Sequence, residues 1–183
     1  MNWTGVLAGT IFNVTSLTVK GSLTLGTGMV MTGGGTITMS GNVTDPAYTI
    51  TTNGVSITSN INCNLSGKTL TFNDHYSGIS TALLQVKGTI LFNNKDFTIG
   101  RMQIDTPSVV TMGTGLFKLT GSGTVWNNNA TTFTTNTSTI EMSDATLNSK
   151  TFTGGGKIYN KLLITGAGNA SYTFSGNNSF FDF

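Results

Sequence analysis

Apolar residues alternate with Thr or Ser along almost the whole chain, and Gly, Asn or Asp break the alternation every few residues. Leu17-Thr18-Val19, Leu23-Thr24-Leu25, Ile37-Thr38-Met39, Val55-Ser56-Ile57, Leu70-Thr71-Phe72 and Leu116-Phe117-Lys118-Leu119 are examples. A period of two places one face of each stretch in an apolar core and the other in water, which is the pattern of short half-buried strands. Helices are nearly excluded, because Thr, Ser, Asn and Gly are poor helix-interior residues. These four types supply 35, 16, 19 and 24 residues, over half of the 183. Only Ile79–Lys87 has the composition for a couple of helical turns.

A Gly-[Thr/Lys]-[Ile/Val] start recurs at Gly9-Thr10-Ile11, Gly35-Thr36-Ile37, Gly88-Thr89-Ile90, Gly123-Thr124-Val125 and Gly156-Lys157-Ile158. The second interval is close to twice the first, as irregular coils of twenty-odd residues would produce. Gly9-Thr10-Ile11-Phe12-Asn13 followed by Leu17-Thr18-Val19 is echoed by Gly156-Lys157-Ile158-Tyr159-Asn160 followed by Leu162-Leu163-Ile164. Self-similarity at such periods predicts an all-β, parallel β-solenoid (β-helix) with irregular coils. Leu, Ile, Val, Phe and Met would point inward, with Thr and Ser outward. Asn and Gly would take left-handed corners, Asn127-Asn128-Asn129 among them. The alternative is an antiparallel β-sandwich, for which Asn53-Gly54 between Tyr48-Thr49-Ile50 and Val55-Ser56-Ile57 supplies a hairpin turn. One such dipeptide is too few for a whole meander, so the solenoid ranks first.

The length suits one solenoid domain, 1–183, with 70–105 as a loop insertion because Asn73-Asp74-His75-Tyr76 and Asn93-Asn94-Lys95-Asp96 depart from the alternation. Tyr172–Phe183 stays apolar to the last residue with no polar cap, so the domain is expected to belong to a longer or oligomeric assembly. No basic lead and apolar run form a signal peptide, and no window reaches the ~20 apolar residues of a membrane helix. A net charge of +2, with 9% charged residues, provides no field for nucleic acid or anionic lipid. The lone Cys63 cannot form an internal disulfide, and alternation places it on the apolar side with Ile61 and Leu65.

The run from Gly121 to Gly176 resembles the Thr/Gly/Asn-rich coils of β-helical proteins of tailed phages and of filamentous-haemagglutinin-like, adhesin-type bacterial surface proteins. The likeness rests on Ser138-Thr139-Ile140, on Lys150-Thr151-Phe152-Thr153-Gly154-Gly155-Gly156 and on Ile158-Tyr159-Asn160-Lys161-Leu162-Leu163-Ile164. It covers about a third of the chain and is only compositional elsewhere. The resemblance implies a structural or attachment role and supplies no catalytic residue.

Searching for chemistry leaves little. Gly67-Lys68-Thr69 ends like a phosphate-binding loop, but that loop's first Gly would fall on Asn62, and Leu70-Thr71-Phe72 continues as a strand where a helix must begin. Gly33-Gly34-Gly35 and Gly154-Gly155-Gly156 lack dinucleotide-binding spacing and read as turns. Glu141 and Asp144 are three apart, so a strand sends them to opposite faces, whereas Asp74, Asp96 and Asp105 could meet across coils as glycoside hydrolysis would need. His75 has no triad partner in sequence and is taken with Asp74 and Tyr76 as a surface recognition trio.

The expected function is therefore a non-enzymatic structural protein, a β-solenoid component of a phage virion (fibre, spike or capsid-surface part) acting by stacking and subunit contacts. It would have no cofactor or metal. Its expected partners are further copies of itself, as a homo-oligomer or trimer, other virion or surface proteins, and a glycan receptor; nucleic acid and membrane insertion are excluded. The alternative is a bacterial cell-surface or secreted adhesin-like segment. A third reading is ice binding through Thr-x-Thr at Thr36-Ile37-Thr38, Thr49-Ile50-Thr51 and Thr151-Phe152-Thr153, ranked lower because those pairs are sporadic in sequence.

Overall fold

The computed structural model describes residues 1–42, 44–166 and 169–183. Every named strand pair in it is parallel, and strands stack coil on coil into three faces, which makes the chain a β-solenoid. The first face contains Ser16–Val19, Thr36–Met39, the starts of Asn60–Phe72, Leu83–Leu91 and Arg101–Thr111, then Gly123–Asn128, Lys150–Thr153 and Tyr172–Ser175. The second contains Leu23–Thr24, Ala47–Thr51, the later halves of the three long strands, and Thr132–Thr134. The third contains Tyr76–Ser77, Phe97–Ile99, Leu116–Leu119, Thr139–Met142, Ile158–Ile164 and Ser179–Asp182. Ile11–Asn13 and Val30–Thr32 form a two-stranded sheet near the start.

Register converts the alternation into columns. On the first face Leu17, Ile37, Ile61, Leu84, Met102, Trp126, Phe152 and Phe174 stand one above another. Beside them run Val19, Met39, Cys63, Val86, Ile104 and Asn128. The third face adds Tyr76, Phe97, Phe117, Ile140 and Leu162. One coil takes between 18 residues (Leu84 to Met102) and 27 (Gly123 to Lys150, and Leu23 to Ile50). Because a column repeats at the interstrand distance, like side chains can stack face on face. Phe97 and Phe117 do so, parallel within 1° at 4.9 Å. Burying each large apolar side chain contributes about 1.5–3 kcal/mol, and one continuous core runs through the coils.

Several expectations are corrected. Residues 70–105 are not an insertion: Leu70, Phe72, Leu84, Val86, Ile90, Phe92, Phe97, Ile99, Met102 and Ile104 are all buried in the common core. Their polar runs are corners, where Asn93 and Asn94 adopt positive φ of 53° and 56°. Ile79–Lys87 holds no helix; the strand Leu83–Leu91 pairs on both sides, and those ladders override weak local preference. Asn53-Gly54 is a left-handed turn (φ 50° and 78°) but makes no hairpin, since Thr51 pairs with Thr24 of one coil and Ile57 bridges Gly78 of another. Asn127-Asn128 belongs to a strand, with Asn128 buried inward, so the triplet is not a left-handed corner. The Gly-[Thr/Lys]-[Ile/Val] starts do not mark equivalent positions either. Gly35 and Gly123 precede or open strands of the first face, whereas Gly88 feeds the second and Gly156 the third.

Some glycines are required by the stacking itself. A Cβ at Gly115 would lie 1.9 Å from the Lys95 carbonyl oxygen, and one at Gly35 would lie 2.0 Å from that of Thr15. The obstacle is backbone of the adjoining coil, which cannot rotate away. Gly115→Ala is expected to cost about 1–3 kcal/mol, as overpacking does. A urea melt that matched the parent protein would show that the coils are not closely packed at this corner.

Candidate functional site

The three residues singled out as a recognition trio do not form one. Tyr76 points inward, 2% exposed, stacked on Phe97 at 5.8 Å. Asp74 caps the Asn53-Gly54 corner: its carboxylate accepts from the Thr52 N–H at 2.9 Å, from the Thr52 hydroxyl at 3.1 Å and from the Asn53 N–H. His75 alone faces solvent, and its Nδ1 accepts from the Asp96 N–H at 3.0 Å. Alternation carries Tyr76 to the opposite side from His75, a consequence that treating the segment as a loop concealed.

Nor do the three aspartates meet. Asp96 receives the Leu116 N–H at 2.9 Å, bracing the following coil. Asp105 sits on the first face between two stacked amides, accepting from Gln85 Nε2 at 2.6 Å and Gln103 Nε2 at 2.7 Å. Among the described residues, no three His, Cys, Asp or Glu side chains converge as a metal cage requires. Glu141 faces outward, its Oε1 4.0 Å from Lys118 Nζ and 2.5 Å from the Thr165 hydroxyl that donates to it.

Among the described residues, two concave surfaces stand out. One, of about 320 Å³, lies on the first face and is lined by Arg101, Gln103, Ser122, Thr124 and Asn127 among others. Its amides belong to an outward ladder of Thr18, Thr38, Asn62, Gln85, Gln103, Asn127, Thr153 and Ser175. The second, of about 380 Å³, follows the corner between the first and second faces past Gly67, Gly88, Pro107 and Val109. Neither was singled out in the sequence. The signal that could have exposed the amide cluster is the interval of 18 residues from Gln85 to Gln103, a full coil.

Several buried polar groups are committed to structure, whereas the buried Tyr76 and Tyr172 hydroxyls have no hydrogen-bond partner among the described residues. The Tyr159 hydroxyl accepts from Trp126 Nε1 at 3.1 Å and Asn128 Nδ2 at 2.8 Å, and donates to the Gly154 carbonyl at 2.8 Å. Burial pushes this phenol up to about 12, against the pull of the Trp126 and Asn128 hydrogen bonds. Lys150 is buried on the first face, with Nζ 3.0 Å from Asp144 Oδ2 and 5.7 Å from the Tyr172 ring centre. Partial burial opposes the Asp144 charge, but hydrogen bonds from Thr146 and Lys150 and the Lys150 charge prevail, holding that carboxyl below its ordinary range.

Cys63 is fully buried, as the alternation predicts, and burial raises its thiol far above the usual range. The folded protein is expected to resist a thiol-specific reagent and to label once in denaturant. Stoichiometric labelling under native conditions would show that this column opens.

No family model, curated protein or solved structure matches this chain.

Proposed function

We propose that the chain is a non-enzymatic structural protein, a β-solenoid component of a phage virion such as a fibre, spike or capsid-surface part, which works by stacking and subunit contacts. The observation that supports this reading is where the chemistry-bearing side chains sit. Asp74 and Asp96 brace corners, Lys150 pairs with Asp144, and Tyr159 ties Trp126 to Asn128. A scaffold in which Asp74 and Asp96 hold one coil to the next, and Lys150 and Asp144 close a corner within a coil, is suited to rigidity rather than turnover. Parallel coils also transmit load along one axis through every ladder at once. Self-association as a homo-oligomer, with contacts to other virion proteins, follows from the same role.

The test is mass spectrometry and electron microscopy of purified particles from a producing culture. The chain should be present at stoichiometric copy number, and antibody labelling should fall on a fibre, spike or capsid surface. Its absence from particles, together with labelling of the bacterial surface, would replace the virion role by an adhesin-like one.

A further inference from the structure

Two columns in register run up the outside of the second face. One is Ala47, Thr69, Thr89, Val109 and Thr132; the other is Thr49, Thr71, Leu91, Thr111 and Thr134. Thr24 and Thr51 pair at their flank. Only Thr49-Ile50-Thr51 of the three Thr-x-Thr stretches seen in the sequence belongs here; those at 36–38 and 151–153 lie on the first face. The other hydroxyls come into line because the coils differ in length, which sequence spacing obscures.

Three properties separate this face from the other two. Its paired stretches, 47–51, 69–72, 89–91, 109–111 and 132–134, contain no Asp, Glu, Lys or Arg, and Lys68 just before Thr69 turns its ammonium to the Asp45 carbonyl, whereas the first face has Arg101 and Asp105 outward and the third has the Lys118–Glu141 and Lys161–Asp182 pairs. Among the described residues, none of the seven column threonines uses its hydroxyl within the protein, while the flanking Thr51 accepts from Asn73 Nδ2 at 3.0 Å. Strand pairing on both sides of the middle coils leaves the β-branched side chains little χ1 freedom. The result is a fixed grid of hydroxyls and methyls, spaced about 4.8 Å between coils and about 6.6 Å along each strand. Each hydroxyl can donate one hydrogen bond and accept two.

A neutral grid with two perpendicular repeats complements a surface that is itself a lattice of hydrogen-bonding oxygens with no net charge. Oxygens on the faces of hexagonal ice repeat at spacings of this order, and methyls between the hydroxyls fit the gaps in such a layer. Waters bound by such a grid would take lattice-like positions, so little further ordering entropy would be lost on contact. We propose that the second face binds ice, through Thr49, Thr71, Thr111 and Thr134 in one column and Thr69, Thr89 and Thr132 in the other. This stands on the fold alone and is independent of the virion reading.

The experiment uses the full chain and ice as the probe. Thermal hysteresis and partitioning into a slowly grown ice front are measured for the parent protein, Thr71→Lys, Thr71→Val and the first-face control Thr38→Lys, with circular dichroism confirming the fold of each. The parent should enter the ice and depress the freezing point below the melting point. Thr71→Lys should lose both effects, Thr71→Val should weaken them while leaving the stack intact, and Thr38→Lys should retain them. Exclusion of the parent from ice overturns the proposal, as does full activity in Thr71→Lys or equal loss in Thr38→Lys. Exclusion from ice combined with retention on crystalline cellulose would assign the face to a hydroxylated polymer and overturn the ice assignment equally.

Discussion

Trp126→Ala is expected to destabilise the protein by about 3–5 kcal/mol, the cost of emptying a large aromatic site in a core that cannot collapse around it. Trp126 is fully buried and stacks within 4° of parallel on Phe152 at 5.9 Å, with Phe117 and Tyr159 edge-on at 6.3 Å each. Because it belongs to a register column, the void would open between coils whose backbones are pinned above and below by ladders. The substitution also removes the Nε1 donor from the Tyr159 hydroxyl. Guanidinium unfolding followed by circular dichroism reads the loss. A change below about 1 kcal/mol would mean that the C-terminal coils are not packed as a continuous core.

Asp144→Ala should be comparably damaging, at about 3–5 kcal/mol, because it leaves the Lys150 ammonium buried without its counter-charge. The Lys150 side chain is 1% exposed and that of Asp144 9%, so water cannot substitute. Replacing both partners together, as Lys150→Met with Asp144→Leu, should recover most of the loss, since the apolar pair needs no desolvated charge. The pair also has a pH signature. A carboxyl held below its ordinary range contributes stability that is fully present above the unfolded-state value, about 3.9, and is lost as pH falls through the lower folded value. Thermal melts from pH 7 to pH 2 should therefore show an acid-side loss in the parent that is reduced in the double variant. Equal pH profiles in the two proteins would refute the account.

The sequence was informative wherever one residue's neighbours along the chain decide its environment. Cys63 between Ile61 and Leu65 illustrates this: alternation alone puts it inside, and it is buried. The same alternation, applied through residues 70–105, would have recognised ordinary coils there. The polar corner runs Asn73-Asp74-His75 and Asn93-Asn94-Lys95-Asp96 obscured them, because a corner and an inserted loop share one composition. The recognition trio failed at Tyr76 for a related reason. Three adjacent polar or aromatic residues share a surface only in a loop, and here the chain re-enters a strand at Tyr76.

What the linear order of residues determined is the class of object: half-buried strands, turns rich in Gly and Asn, an all-β solenoid and an inert thiol. These follow from local rules of period two and of left-handed backbone, which need no knowledge of distant residues. Tertiary structure alone decided which residues stand above which. Coil length varies from 18 to 27 residues, so Gln85 meets Gln103, Trp126 meets Phe152, and Thr49 aligns with Thr71 and Thr134 only once the ladders are formed. Register is set by packing of the inward columns, and a surface made of register cannot be read before the core that aligns it has closed.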